Sequence, residues 1–407
     1  PGGSALSDPD FWLDSPLRDT RDIILFDQRG TGFSLPSLDC WETTDYAENE
    51  ETEFASSIDA AAACRVRLVE EGVDLTQYNS AASAADADDL RQALGIEQWN
   101  LYGVSYGTRL AMTIMRDFPA GVRSVLLDSA YPPDVDGYTE EARNSIVAID
   151  VLLAGCAADA DCNDAFPDLS ARFYDLVATL NDEPAEIDGY ETTGDALVNF
   201  LFDALYDTET IPYLPLVIHE AANGNYEPWT ALEAGDEEEG YHRRQDEEGD
   251  ASENDGDADG MFYSVECRDA VPFSDLDQAA ELVEDYPPQV TEGLLASTEE
   301  TFAICELWGA GVAPPRENKP VVSRIPTLIL AGEYDPVTPP AWGKRAGRWL
   351  FNDQYVEVAR GGHAVSFLGE CGPQLAAAFF DNPEQPLDTS CLAGELLPFA
   401  LNVSELP

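Results

Sequence analysis

Trp99-Asn100-Leu101-Tyr102-Gly103-Val104-Ser105-Tyr106-Gly107-Thr108-Arg109 decides how this 407-residue chain is read. Residues 99–102 read as a strand that passes through a glycine-flanked serine into a helix reaching about Phe118. Gly103-Val104-Ser105-Tyr106-Gly107 fits G-x-S-x-G, and a strand-to-helix junction is the setting that a nucleophile elbow requires. The glycines let the backbone turn sharply, so the serine oxygen stands clear of the sheet. The helix that follows aims its first N–H groups, beginning with the backbone N–H of Tyr106, at any oxyanion that forms there. Glycine-rich turns containing serine are common. The junction gives this one its weight.

Outward from the elbow, short apolar runs alternate with helical patterns, which predicts a parallel sheet covered by helices. Residues 22–26 (Asp-Ile-Ile-Leu-Phe) read as a strand that ends in the turn Asp27-Gln28-Arg29-Gly30-Thr31-Gly32. A helix is expected over 83–94, with Ser83 and Asp86 as its capping signal and Gly95 as its stop. Residues 123–127 form the next strand. From Pro132 to about Val321 the alternation is lost, and helical stretches such as 169–180 and 194–205 are separated by loops. It resumes with a strand at 326–331, a helix after Pro340, a strand at 355–358 and a helix near 374–380. The expectation is an α/β fold, mostly parallel, with residues 1–131 and 322–407 as the core and 132–321 as a large, mainly helical cap.

Composition limits what such a fold can do. Seventy-nine acidic residues face 21 basic ones, a formal net charge of -58, so nucleic acid and anionic membranes are repelled. No run of about eighteen apolar residues offers a membrane span. The segment 233–259 holds thirteen acidic residues and reads as a solvated loop. Such a surface suits high salt, where screening removes self-repulsion. Activity and melting temperature should therefore rise with molar salt in calorimetry, and a flat response would sink this reading. Eight cysteines without a C-x-x-C pair, and only three histidines, disfavour zinc and favour disulfides. Pairing of nearest neighbours closes the shortest loops: Cys40 with Cys64, Cys156 with Cys162, Cys267 with Cys305, and Cys371 with Cys391. That points to an extracytoplasmic protein, secreted or periplasmic.

A serine nucleophile needs a base and an orienting carboxylate. His219 falls in a helical cap segment and His242 in the acidic run, which leaves His363 in the loop Arg360-Gly361-Gly362-His363 after a predicted strand. Asp335 stands at a strand's C-terminal end in Gly332-Glu333-Tyr334-Asp335-Pro336-Val337-Thr338-Pro339. Ser105, Asp335 and His363 follow the chain order of the α/β-hydrolase triad. Thr338 is expected to steady the Asp335 loop, and Arg29 to brace the loop over the elbow through a carboxylate.

Together, Asp27-Gln28-Arg29-Gly30-Thr31-Gly32, Asn100 to Arg109 and the Asp335 and His363 motifs resemble the proline iminopeptidase and tripeptidyl aminopeptidase group of α/β-hydrolases. The cysteines, the Asp335 motif and Ser264-Val265-Glu266-Cys267-Arg268-Asp269 fit the secreted, TAP-like branch. The resemblance implies a cofactor-free serine exopeptidase acting on peptides with a free N-terminus, or a carboxylesterase with the same triad. It also implies a second oxyanion donor from a glycine just upstream of Pro1. Further, it implies upstream strands, one central to the sheet, supplied by an N-terminal segment of the same precursor.

An aminopeptidase must recognise an α-ammonium group, and buried carboxylates do this by charge-assisted hydrogen bonds. Glu266 and Asp269, in the cysteine-containing motif, and Glu333, beside Asp335, are the candidates. A competing pattern is the calcium-loop spacing of Asp255, Asp257, Asp259, Gly260 and Glu266, with Phe262 at the apolar position. In a chain this acidic such a match arises readily by chance, and no metal is the favoured expectation.

Overall fold

The computed structural model describes residues 1–7, 9–49, 52–187, 189–233 and 258–406. Among the described residues the central sheet has four strands, β1 (Trp99–Val104), β2 (Val122–Asp128), β5 (Thr327–Gly332) and β6 (Asp353–Val358). They are parallel and ordered β1-β2-β5-β6. Side chains alternate between the two faces. Val125, Leu127 and Ile329 join one buried cluster, and Leu126, Leu328 and Leu330 join another. Both faces are covered, which is why β5 is buried along its whole length and apolar after Thr327.

The first cluster is completed by the Tyr106–Asp117 helix through Leu110, Met112 and Ile114. The second is completed by the Cys371–Asp381 helix through Ala376, Phe379 and Phe380. Register decides what happens at the top of the sheet. Val104 lies beside Asp128, Asp128 beside Leu330, and Gly332 beside Val358. The loops carrying Ser105, Asp335 and His363 therefore leave the same edge.

Between β2 and β5 lies a large helical insertion. Its main helices are Gly137–Ala158, Leu169–Asp182, Gly194–Ala204, Leu214–Ala221, Asp259–Asp269 and Pro288–Trp308. An antiparallel pair, β3 (Ala185–Ile187) with β4 (Tyr190–Thr192), had no counterpart in the sequence reading. The insertion has its own core, built around Ile149, Leu152, Phe173, Leu201 and Ile218, and Tyr334 of the sheet domain joins it. All four expected disulfides are present. The bridge between Cys267 and Cys305 closes 38 residues, which restricts the unfolded chain by about 4 kcal/mol in the chain-entropy account.

Two local expectations differ. Residues 22–26 form no ladder in the structure and belong to no strand. A strand is defined by its neighbours, and none of the described residues pairs with this one. The helix expected from Ser83 begins at Ser80 instead, capped by Asn79, whose side chain accepts the Ala82 amide at 3.0 Å. Gly95, at φ +69°, ends it as read. No helix among the described residues is long and apolar enough to cross a membrane.

Candidate active site

Ser105 occupies the turn between β1 and the Tyr106–Asp117 helix with φ 54° and ψ -125°, a conformation that side chains rarely adopt. Its amide is held by the carbonyl of Asp128 at 3.0 Å, so the strained residue is tied to β2. Of the two motif glycines only Gly103 is forced by space. A Cβ there would lie 2.5 Å from the Gly107 carbonyl, whereas one on Gly107 meets nothing within 4 Å. Tyr106 opens the helix, so its amide is one of the donors that an α-helix leaves unspent.

Asp335 is fully buried, with four donors on its carboxylate. Oδ1 accepts the amides of Val337 and Thr338 at 3.0 and 2.8 Å. Oδ2 accepts the Thr338 hydroxyl at 2.7 Å and lies 2.9 Å from His363 Nδ1. With Nδ1 carrying the proton toward Asp335, Nε2 is left as the acceptor. The two loops meet closely, because a Cβ on Gly332 would sit 1.8 Å from the Gly362 carbonyl. The insertion also holds the histidine. The His363 amide donates to the Tyr206 carbonyl at 2.8 Å, and the Gly362 amide donates to Thr208 Oγ1 at 3.0 Å.

Burial disfavours the charged His363 ring, but Asp335 overrides it and holds the ring above its ordinary 6.5, with help from Asp128. A general base must be neutral to act. The acid limb of kcat/KM should therefore have its midpoint above 6.5, rising with pH; a midpoint below 6.5 would contradict it. Stability runs the opposite way. A raised folded-state value contributes stability that is complete below the unfolded value of 6.5 and is lost as pH climbs through the folded one.

Behind the elbow helix lies a buried polar cluster. Arg109 is stacked 4.7 Å from the Tyr131 ring and donates to the Asp269 carbonyl at 2.6 Å. Glu266 is buried, with the Tyr131 hydroxyl 3.3 Å from Oε2, and burial raises its carboxyl despite the positive charges of the Pro1 amino group and of Arg109. Glu141, from the Gly137–Ala158 helix, was not singled out in the sequence. Burial pushes it up to about 7, with Glu266 adding to the rise and the Thr298 hydroxyl at 2.8 Å opposing it.

The other two ammonium candidates are engaged elsewhere. Asp269 accepts the Ser80 amide at 2.9 Å and pairs with Arg268, which anchors the start of the Ser80–Ala93 helix. Glu333 accepts the Arg360 amide at 2.9 Å, bracing the turn before His363. Arg29 clamps Asp86 with bonds of 2.7 and 2.6 Å and also donates to the Gln77 carbonyl. His219 packs against Phe166, away from the triad segments. His242, Asp255 and Asp257 lie outside the described residues.

The calcium-loop spacing is not realised by the residues that are described. Asp259 and Glu266 belong to one continuous helix, seven residues apart, which separates them by roughly 10 Å along its axis. They cannot wrap one ion. The Cys40, Glu42 and Cys64 cluster also has the proximity of a metal site, but its two sulfurs are joined in a disulfide.

Residues 1–154 match the family model for the alpha/beta hydrolase fold, and residues 295–391 match the model for TAP-like proteins. Among curated relatives, YuaR of Escherichia coli (strain K12) is 24% identical over 93% of this chain and 75% of its own length. Serine protease Hip1 of Mycobacterium tuberculosis (strain ATCC 25618 / H37Rv) is 25% identical over 80% of this chain and 66% of its own. The tripeptidyl aminopeptidase of Streptomyces lividans is 26% identical over 83% and 65%. The chain thus spans between two thirds and three quarters of the length of these proteins, to within a few per cent. With a parallel sheet, a helical insertion and both family models in agreement, the chain has the alpha/beta-hydrolase fold, and its residues 295–391 match the TAP-like model.

Proposed function

We propose that the protein is a serine hydrolase working through an acyl-enzyme on Ser105, with peptides bearing a free N-terminus as its substrates. The observation that carries the chemistry is the 2.9 Å bond between His363 and Asp335, at the sheet edge where the strained Ser105 turn also stands. Ser105 Oγ attacks the scissile carbonyl while His363 Nε2 takes its proton. The Tyr106 amide receives the oxyanion, and the imidazolium, balanced by Asp335, returns the proton to the leaving group. Water then attacks the acyl-enzyme by the same route. A second serine, Ser80, is buried nearby, but its Oγ is committed to the Tyr106 hydroxyl at 3.0 Å. Ser105 is the nucleophile in this reading. Residues 132–321 act as the cap, and the four disulfides support an extracytoplasmic setting.

The substrate class rests on Glu266 and Glu141. Two carboxyls raised together by burial, Glu266 buried and Glu141 half-buried, with Arg109 already facing the Asp269 carbonyl, form a place where an ammonium group would restore both charges. The names of the mycobacterial and streptomycete relatives agree with a peptidase. A carboxylesterase is the second reading, and one observation favours it. A Glu141 pushed up to about 7 is uncharged about half of the time at neutral pH, which suits a pocket for a neutral acyl group better than a fixed carboxylate would.

The test compares a peptide with its N-acetylated form, beside a short acyl ester. The peptidase reading expects cleavage that requires the free amine, and Glu266→Gln should cost at least roughly tenfold in kcat/KM on that substrate alone. Ester turnover without peptide cleavage, unchanged in Glu266→Gln, would establish the esterase.

A further inference from the structure

Asp128 is the last residue of β2 and is fully buried where three active-site segments converge. Its backbone carbonyl holds the Ser105 amide. Its side chain reaches the segment after His363, where Oδ2 accepts the Ser366 amide at 2.7 Å and also the Ser366 hydroxyl. That hydroxyl accepts the Tyr102 O–H from β1 at 2.7 Å. Next in sequence, Ser129 Oγ accepts the Ala364 amide at 2.9 Å. Ala364 has φ +62°, a left-handed conformation that an alanine adopts at a cost of roughly 1–2 kcal/mol. Asp128 and Ser129 thus hold the two amides that set the turn immediately after the histidine.

An anchor alone does not call for a charge. An asparagine could accept the same two bonds, and a buried carboxylate costs more to desolvate. Asp128 Oδ1 has no hydrogen-bond partner, so its burial is not explained by bonding. What faces this group is the triad: His363 and Asp335 both act on it electrostatically, and it acts on His363 in turn. Tyr102 from β1 is the other titratable neighbour of Asp128, Tyr206 from the insertion packs 5.0 Å from the His363 ring, and burial holds both tyrosines far above their usual range. The charges that bear on the imidazolium are therefore those of Asp335 and Asp128.

We propose that Asp128 is a second carboxylate of the histidine, a positioning residue that holds the 364–367 turn through Ser366 and supports the imidazolium by its charge. The inference rests on His363 being the base of Ser105. Burial lifts the Asp128 carboxyl to about 6, so it is ionised at neutral pH and above, where the base works.

The experiment follows the rate of Ser105 phosphonylation by a fluorophosphonate across pH, with kcat and KM on a short acyl ester, for the full chain and four variants. In Asp128→Asn, kcat should fall about tenfold with KM within about twofold. Its acid limb should move to lower pH by roughly half a unit or more, because a charge that favours the imidazolium is gone. Ser366→Ala keeps the charge, so it should slow the reaction without moving the limb. Asp128→Asn reacting at the wild-type rate, or slower with an unmoved limb, overturns the proposal. Should Asp128→Asn not fold, the double variant Ser129→Ala/Ser366→Ala carries the test, and a wild-type rate there overturns it. His363→Ala reacting as fast as wild type would instead remove the base assignment on which the inference stands.

Discussion

Ser105→Ala should abolish turnover of every substrate and all labelling by a fluorophosphonate, while leaving the melting curve nearly unchanged. The loss expected for the nucleophile of a triad is on the order of a hundred-thousand-fold or more in kcat. The structure makes the contrast with Ser80 informative. Both serines lie close to Tyr106, one preceding it in the chain and the other bonded to its hydroxyl. Ser80→Ala removes a buried hydrogen bond, which costs about 1–3 kcal/mol of stability through the unsatisfied Tyr106 hydroxyl. It should keep most of the activity. Labelling that survives in Ser105→Ala and disappears in Ser80→Ala would reverse the assignment.

Asp335→Asn should lower kcat by roughly a thousand- to ten-thousand-fold with a folded protein. An amide at this position presents either its oxygen or its NH2 to His363 Nδ1. The amides of Val337 and Thr338 on Oδ1 select the orientation in which oxygen faces them. The NH2 then faces Nδ1, which forces the proton to Nε2 and removes the acceptor that Ser105 needs. The Thr338 hydroxyl, 3.3 Å from Nδ1, can turn to donate there but cannot replace a charge. Steady-state kinetics on the ester substrate measures the effect, and a fall of less than about tenfold would show that Asp335 is not the orienting carboxylate. The same variant should also lose the elevation of the histidine, which direct titration of the ring by NMR would report.

Much of this was legible in the sequence because it is local. The elbow is a five-residue pattern with a strand before it and a helix after it, and the apolar runs of β2 and β5 declare themselves without reference to anything distant. Asp335 and His363 could be read because each lies within a few residues of a strand's C-terminal end. Nearest-neighbour disulfides follow from short loops. Even the misplaced helix start was a local matter, a choice between Asn79 and Ser83 as the cap.

What only the tertiary structure decided depends on register and on packing between segments far apart in the chain. Asp128 meets Ser366 across 238 residues, and Glu266 acts electrostatically on Glu141 from another helix of the insertion. No spacing rule announces such pairs. Asp269 and Glu266 are three residues apart in one motif, yet one is spent on the Ser80 amide while the other stays buried beside Tyr131. They share one face of the helix and both act on Arg109, so the separate partner each one bonds is chosen by the fold and not by the helical repeat. Likewise Asp259 and Glu266, which a loop could bring to one ion, are held apart once residues 259–269 coil into a helix. The sequence by itself determined which residues could do the chemistry, because nucleophile, carboxylate and base each carry a local signature. The structure decided which of the many carboxylates bear on it, because burial and hydrogen-bond partners are properties of the folded chain.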